Sequence, residues 1–309
     1  MALKKVSVVI NGSRVELTKN PSTGKYEGTI AAPNMTSFNV NAGHYYPITV
    51  EAEDLAGNVT SANDSDSALG ESLKLFVKET TKPTILITSP ASGAYIITNK
   101  PAITFQLRDE TNGSGIKISS LTIKVDSGTT LTNTSPGVVV TSVTGGYNVT
   151  YTPQTALSDG SHTILLNVQD NDGNAATAVS RTFTVDTVPP ILNVSSPAEV
   201  TSYQNVASLT VLGTTNDATS SPVGVTVKLN TGAATATVVD GNGNFSKTLT
   251  LVEGTNTIVI TATDAAGKTS SVTRTVVLDT VAPVVSSITI APNPVNVGQS
   301  YIITVDVTD

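Results

Sequence analysis

The chain has 309 residues, which is room for two or three domains. It carries 17 basic and 24 acidic residues, a formal net charge of −7, and no cluster of Lys and Arg, so we expect no nucleic-acid partner. It contains no Cys and no Trp, which excludes the disulfide and the buried Trp of antibody-type domains.

The start of the chain is predicted to be a strand and a turn, not a secretion signal. Residues 1–10 hold a basic pair and a short apolar run, which enters the turn signal Asn11-Gly12. No apolar run is long enough to span a bilayer, so we expect no membrane insertion. Two explanations stay open: a longer secreted protein was trimmed, or the protein leaves its cell by another route such as lysis.

The first segment, residues 1–79, is predicted to contain only the later strands of a β-sandwich. With the strands lettered A to G in chain order, strand C is predicted at 6–11, strand F at 46–52 and strand G at 73–77. No stretch of this segment matches strands A and B. We therefore expect an incomplete first domain.

Two full repeats follow, at residues 80–186 and 187–279. Both have short alternating stretches with a turn signal about every 8–12 residues, which is typical of a β-sandwich. Strands A, B, C, F and G are predicted at 84–88, 102–107, 121–125, 162–168 and 181–185 in the second segment, and at 191–194, 207–212, 225–229, 257–263 and 272–278 in the third.

The last segment, residues 280–309, contains only strands A and B, predicted at 284–290 and 301–307. The three later segments are introduced by the same motif: an acidic residue, Thr, two variable residues and Pro. The copies of this motif are Glu79-Thr80-x-x-Pro83, Asp186-Thr187-x-x-Pro190 and Asp279-Thr280-x-x-Pro283.

These openings, and Asp-x-x-Gly-Asn turns such as the one at 170–174, resemble those of bacterial Ig-like repeats. Such repeats occur in cell-surface adhesins and in tail and baseplate proteins of bacteriophages. The resemblance covers the whole chain. It implies an all-β fold of tandem immunoglobulin-like β-sandwiches in a rod, with an incomplete first domain and a two-strand C-terminal segment. The start without an export signal resembles the phage version more than the adhesin version.

We expect a non-enzymatic structural protein that assembles head to tail. Residues 280–309 hold the two strands that residues 1–79 lack, so strand addition from one copy would complete the first domain of another. The product would be a filament, a ring or a phage-tail appendage, on a virion or an extracellular surface. The partners would be other copies and other virion or cell-surface proteins. The expected donor residues are Val285, Ile288, Ile290, Ile302, Ile303, Val305 and Val307, and the expected acceptor residues are Val6, Val8, Ile10, Tyr26, Ile48 and Val50.

Two alternatives stay open. Residues 280–309 could instead begin a further repeat of a longer array, of which this chain is a fragment. The chain could also be a surface adhesin or a receptor-binding stalk with a glycan receptor. Tyr45, Tyr46 and Tyr95 are the aromatic candidates for a sugar, although aromatics make up only 4% of the chain and packing roles are favoured.

We expect no catalytic residues, since no nucleophile with a base and an orienting group stands out. The two histidines, His44 and His162, lie at the entry to strand F, where a corner or capping role is expected. They are too few for a zinc site.

We also expect no required cofactor, with calcium as the alternative. The run Asp170-x-Asp172-x-Asn174 spaces oxygen atoms on alternate residues, which suits calcium, but Asp and Asn are also ordinary turn residues. Lys268 takes the place of Asn174 in the third repeat, which argues against a repeated site. The calcium candidates are Asp109, Glu110, Asp170, Asp172 and Asp186.

Overall fold

A computed structural model describes residues 2–309 and contains β-strands with two short 3-10 turns. The chain divides into two compact units, Met1–Val185 and Asp186–Asp309. Among the described residues, no helix has the length and apolar character needed to cross a membrane. The all-β prediction of tandem β-sandwiches is confirmed.

The first segment forms one sheet with the strand order β3-β2-β1-β4-β5, in which a short strand, β6, also pairs with β4. It corresponds to one of the two sheets of a sandwich. Its elements are β1 (Leu3–Ile10), β2 (Ser13–Lys19), β3 (Tyr26–Glu27), a 3-10 turn (Ser37–Asn39), β4 (Tyr46–Asp54), β5 (Val59–Ala62), a second 3-10 turn (Gly70–Leu73) and β6 (Lys74–Leu75).

The second segment is a complete sandwich of two four-stranded sheets, ordered β11-β12-β9-β7 and β10-β13-β14-β8. All the pairs are antiparallel except β8 with β14, which run parallel over two register pairs. The strands are β7 (Thr84–Ser89), β8 (Tyr95–Ile96), β9 (Ile103–Arg108), β10 (Ile116–Val125), β11 (Val138–Val143), β12 (Gly146–Tyr151), β13 (Gly160–Asp170) and β14 (Val179–Val185).

The third segment repeats this plan with sheets ordered β15-β17-β20 and β16-β22-β21-β18-β19. Its parallel pair, β16 with β22, is longer and spans four register pairs. The strands are β15 (Ile191–Ser196), β16 (Thr201–Gln204), β17 (Ser208–Asn216), β18 (Gly224–Leu229), β19 (Thr235–Thr237), β20 (Asn244–Thr250), β21 (Gly254–Thr263) and β22 (Thr269–Leu278).

The last segment is a two-stranded antiparallel sheet of β23 (Val284–Ala291) and β24 (Ile302–Thr308), called the terminal hairpin below. Every residue of both strands is exposed. By pairing, β23 and β24 correspond to strands A and B of the complete sandwiches, where β7 pairs with β9 and β15 with β17.

Each complete sandwich has its own apolar core, because alternating side chains of both sheets point inward. The core of the second segment centres on Phe105, Ile164 and Phe183, and that of the third on Val211, Ile258 and Ile260. The domain bounds at 79, 186 and 279 stay predictions, although the division into compact units falls at the second of them.

The structure corrects the prediction of strand G in the first segment. The sequence placed one strand at 73–77, but strand G comes in two pieces, β5 and β6, separated by residues 63–73. β6 stops at Leu75 because the carbonyl of Val77 accepts from the Ser37 amide at 2.8 Å instead of joining the sheet.

Candidate functional site

One face of the first sheet carries the predicted acceptor residues, and we call it the acceptor face. In the strand register, Val8 lies opposite Val50 and Ile10 lies opposite Ile48, with Val6 two residues before Val8. Because partners across a ladder point to the same side, these five side chains form one apolar surface. Tyr26 joins the same side at the sheet's edge through its pairing with Lys19.

The acceptor face is only partly covered. Val6 and Val8 are 8% and 9% exposed, and Ile10, Ile48 and Val50 are half-buried. Part of the cover comes from residues 28–33, where Ile30 and Pro33 line a cleft with Ile10. No second sheet packs on this face among the described residues of the segment.

The third segment gives the matching surface in a complete sandwich. Val225 and Val227 of β18 pair with Ala262 and Ile260 of β21, in the register in which Val6 and Val8 pair with Ala52 and Val50. All four residues of the third segment are at most 1% exposed, because the β15-β17-β20 sheet covers them. The same positions in the first segment therefore retain apolar surface that a second sheet would bury.

The terminal hairpin has one apolar face, which we call the donor face. The register pairs Val285 with Val307, Ile288 with Val305 and Ile290 with Ile303. These six side chains point to one side and are 44–61% exposed. The opposite side carries Ser287, Thr289, Thr304, Asp306 and Ile302, so the structure separates Ile302 from the other predicted donor residues.

Acidic side chains form two clusters at equivalent positions of the complete sandwiches. Glu79, Asp109 and Asp170 form the first cluster, and Asp186, Asp217 and Asp264 form the second. In each cluster, one oxygen atom from each residue lies within 4.8 Å of the others. One acid comes from the linker before strand A, one follows strand B, and one opens the turn between strands F and G.

The first cluster joins the first segment to the second. The Glu79 carboxylate accepts from the Ser114 amide at 2.5 Å, and Asp109 accepts from the Gly115 amide at 2.7 Å. Burial raises the pKa of Glu79, and so does its contact with Glu110, because two facing carboxyls can hydrogen-bond only when one of them is protonated. Burial likewise raises the pKa of Asp109. The cluster therefore resists carrying its full negative charge.

The predicted calcium residues do not all meet. Asp109 and Asp170 join the first cluster, with Glu110 beside it, whereas Asp186 belongs to the second cluster. Asp172 is not a member; it accepts from the Glu79 amide at 3.1 Å and from the Thr36 hydroxyl. Glu79, Asp217 and Asp264 were not predicted.

Asn174 has a role other than the predicted one of supplying an oxygen. Its side-chain nitrogen donates to Asp170 Oδ2 at 2.8 Å. Lys268 occupies the equivalent position in the third segment and provides only its backbone amide, which donates to Asp264 Oδ1 at 2.8 Å. Asp264 Oδ2 is buried and has no hydrogen-bond partner. The replacement of Asn by Lys therefore frees a carboxylate oxygen instead of removing a ligand.

The tyrosine and histidine candidates are described by their burial, packing and hydrogen bonds. Tyr46 is buried, and the Tyr45 hydroxyl donates to Asp64 at 2.9 Å. His44 stacks on Phe38 with ring centroids 4.1 Å apart. His162 is buried within β13, hydrogen-bonded to Asp126 and Ser158. Tyr95 is exposed and opens β8.

Two family matches agree with this architecture. Residues 79–187 match the family described as bacterial Ig-like domain, and residues 190–280 match the one described as glucodextranase, domain B. The second match is to one domain of an enzyme, and Ig-like modules are generally non-catalytic. No curated protein matches the chain.

Several solved structures match the chain at low sequence identity. Fibronectin(III)-like modules of CbhA from Clostridium thermocellum are 15% identical over 63% of this chain and 94% of theirs, with a TM-score of 0.37. A solved chain from a 1.5-MDa bacterial ice-binding adhesin is 21% identical over 89% of this chain and 86% of the solved chain, with a TM-score of 0.30. Immunoglobulin domains 1–4 of Sidekick-1 are 10% identical over 90% and 68%, with a TM-score of 0.37. These are similarities of fold.

Proposed function

We propose that this chain of bacterial Ig-like repeats is a non-enzymatic structural protein whose copies assemble head to tail. In this assembly, the terminal hairpin of one copy packs its donor face on the acceptor face of the next. The contact supplies the strands A and B that the first segment lacks, in a second sheet opposite its own. The product is a filament or ring that forms part of an extracellular or virion appendage, such as a phage tail.

The observation that carries this proposal is the complementarity of the exposed donor face and the partly covered acceptor face. Counted from the Pro of each opening motif, Ile303, Val305 and Val307 match Ile103, Phe105 and Leu107 of strand β9. The β9 side chains are at most 1% exposed because they pack against the opposing sheet. The hairpin residues are 45–56% exposed. Packing on an acceptor face would give them the surroundings that β9 has.

Strand pairing would be a second source of affinity between the two copies. In the complete sandwiches, strand B also pairs with a further strand, β9 with β12 and β17 with β20. The outer edge of β24 has no such partner, so its amides and carbonyls remain available for a ladder. The nearest counterpart of that further strand in the first segment is β3. Backbone pairing would give affinity, and the alternating apolar side chains would fix the register.

The test compares two neighbouring substitutions in the hairpin. Ile303→Asp puts a carboxylate on the donor face, and Ile302→Asp puts one on the opposite face. We expect Ile303→Asp to weaken self-association by about 100-fold or more, because burying an unpaired charge costs several kcal/mol. Ile302→Asp should associate like the unaltered protein. The measurement is sedimentation velocity over a range of concentrations.

Two results would contradict this proposal. One is an unaltered protein that stays monomeric at millimolar concentration, which would favour the reading of the hairpin as the start of a further repeat. The other is equal weakening by both substitutions, which would indicate general damage to the hairpin. If the hairpin is the start of a further repeat, a chimaera in which the rest of a repeat follows the hairpin should contain a complete sandwich there.

A second candidate function, a glycan-binding adhesin stalk, is favoured by one exposed aromatic side chain. Tyr203 of β16 is 79% exposed and lies in a shallow depression with Gln204, Asn205 and Asp279. An aromatic ring flanked by amide and carboxylate groups suits the stacking and hydrogen bonding of a sugar. Glycan-array binding that Tyr203→Ala abolishes would favour this function, and an array without binding would exclude it.

A further inference from the structure

The residues that connect the two strands of the terminal hairpin, 292–301, expose apolar side chains, and we call them the hairpin connection. Val297 is fully exposed and Val295 is 36% exposed. A backbone hydrogen bond from the Gln299 amide to the Asn296 carbonyl, at 3.0 Å, closes a turn within the connection. Among the described residues, no strand pairs with it.

In both complete sandwiches, the corresponding connection contains a short strand. β8 lies between strands A and B of the second segment, and β16 lies between those of the third. Both pair in parallel with strand G, which belongs to the sheet opposite to that of strands A and B. In the second segment, the Gly93 amide donates to the Thr182 carbonyl and the Thr184 amide donates to the Ala94 carbonyl, both at 2.9 Å.

The first segment has a strand G edge without such a partner. β6 pairs with β4, and its outer edge is open among the described residues. Phe76, which follows β6, is 60% exposed, and its ring centroid lies 6.0 Å from that of Tyr45. Its backbone amide and carbonyl have no hydrogen-bond partner within the part of the chain that the structure describes.

The backbone groups of Phe76 point toward this open edge. The next residue, Val77, donates its amide to Ser37 Oγ at 3.1 Å and accepts from the Ser37 amide at 2.8 Å. Ser37 Oγ also donates to the carbonyl of His44, just before β4. Val77 therefore faces the side of β4. Since the backbone groups of successive residues in an extended strand point to opposite sides, those of Phe76 face away from β4.

The strand register identifies the counterpart of Phe76 in the second segment. Phe76 directly follows the strand G partner of Tyr46, and Thr184 directly follows that of His162. Tyr46 and His162 each lie eight residues before the Asp that opens the turn between strands F and G. Phe76 is thus the counterpart of Thr184, which pairs with Tyr95 of β8.

The hairpin connection has a counterpart of Tyr95. Val295 lies eight residues before Ile303, and Tyr95 lies eight residues before Ile103, the strand B residue that Ile303 matches. In the parallel register of the second segment, Val295 of one copy would therefore lie beside Phe76 of the next.

We propose that residues 293–296 form a third added strand, which pairs in parallel with residues 74–77 of the next copy. This inference rests on the head-to-tail assembly proposed above, and it gives the hairpin a contact with both sheets of the completed sandwich. Pro294 is compatible with the strand, because its counterpart Ala94 contributes its carbonyl, and not its amide, to strand G. Val295 and Phe76 would form an apolar cross-strand pair and cover surface that both expose in the single chain.

Cross-linking between copies tests this contact, because the chain contains no Cys. One full-length protein carries Val295→Cys and another carries Phe76→Cys, and the mixture is treated with a short bismaleimide. In the control mixture, Leu55→Cys replaces Phe76→Cys. Leu55 is 71% exposed and lies beyond the other end of β4. Sedimentation velocity measures the association of each mixture before the reagent is added, and mass spectrometry of linked peptides identifies the products.

We expect Val295→Cys to be linked to Phe76→Cys at least about 10-fold faster than to Leu55→Cys, because docking holds the two thiols at a high effective concentration. Addition of Ile303→Asp to the Val295→Cys protein should reduce the rate to that of the control. In the unaltered protein, the Phe76 amide should become protected from hydrogen exchange on assembly.

The third strand is wrong if both mixtures associate but are linked at the same slow rate, in which case head-to-tail assembly stands without it. Equal linking with and without Ile303→Asp would also overturn the inference, because the link would then arise from random collision. If the unaltered protein does not associate, head-to-tail assembly itself fails and the third strand fails with it.

Discussion

His162 is held with acceptors at both ring nitrogens. Nδ1 lies 2.8 Å from Asp126 Oδ2, and Nε2 lies 2.8 Å from the carbonyl oxygen of Ser158. A carboxylate and a carbonyl only accept, so both ring nitrogens donate and the imidazolium form satisfies every contact. Burial alone lowers the pKa of His162, but the hydrogen bonds to Asp126 and Ser158 outweigh it and raise the pKa above its usual 6.5.

This shift predicts a pH dependence of stability. The folded state binds the proton more tightly than the unfolded chain, so the contribution is fully present below about pH 6.5 and is lost as pH rises through the folded pKa. Urea unfolding of the second segment should therefore become easier as pH rises above about 6.5. Asp126→Asn should lower the pKa of His162, as measured by NMR. Asn suits this position because the φ of Asp126 is +52°. A folded-state pKa below 6.5 in the unaltered protein would contradict this account.

Gly243 is required by the turn before β20. Its φ is +83°, and an added Cβ would lie 2.2 Å from the carbonyl oxygen of Thr215. Gly241, two residues earlier in the same turn, would have nothing within 4 Å of an added Cβ.

We therefore expect Gly243→Ala to lower the unfolding free energy of the third sandwich by about 2 kcal/mol or more. Gly241→Ala should change it by less than about 0.5 kcal/mol. Denaturant unfolding of the two variants measures the difference. Equal effects would mean that the turn relaxes around the new methyl group.

At the scale of single elements, the long strands were predictable and the short ones were not. Strand F of the third segment was predicted at 257–263 and is found at Gly254–Thr263, because buried apolar residues recur at every second position from Ile258 to Ala262. The parallel strands β8 and β16 have two and four residues, too few for a periodic signal. The four-residue β5 carries a single large apolar residue, so the sequence favoured 73–77 as strand G.

The candidate site was partly predictable for a related reason. Strand alternation identifies most acceptor and donor residues and puts the neighbours Ile302 and Ile303 on opposite faces. It does not show that Val285 shares a face with Ile288, because this follows from the bulge between Val285 and Ser287. The acidic clusters take one residue from each of three loops, whereas ligand spacing along the sequence indicates only oxygen atoms within one loop. A comparison of equivalent positions in the repeats would have found Glu79, Asp217 and Asp264.

Strand addition can also be tested by deleting the terminal hairpin and adding it back as a separate peptide. Deletion of residues 284–309 removes both strands of the donor, and we expect the deleted protein to remain monomeric. Adding a peptide of residues 284–309 should restore protection of the β3 and β1 amides from hydrogen exchange, because the acceptor face would again be covered. A peptide with Ile303→Asp serves as the control. No gain of protection with the unaltered peptide would count against strand addition.

At the scale of the whole molecule, two of the predicted segments form complete sandwiches and two do not. The second and third segments each have two sheets and a separate core, which is why their strands could be predicted by aligning one with the other. The first segment and the terminal hairpin have one sheet each, and their apolar side chains remain more accessible. The difference lies in what packs on each sheet, which a single sequence does not reveal.

The parallel strand pairs determine how the two sandwiches respond to a pulling force. When a chain is stretched from its ends, an early strand is drawn one way and strand G the other, so a parallel pair between them is loaded in shear. All of its hydrogen bonds then carry the load together. β16 and β22 share four register pairs, whereas β8 and β14 share two. In single-molecule stretching, the third segment should rupture at a higher force than the second. Val276→Pro in β22 should lower only the rupture force of the third segment. Equal rupture forces for the two segments would contradict this interpretation.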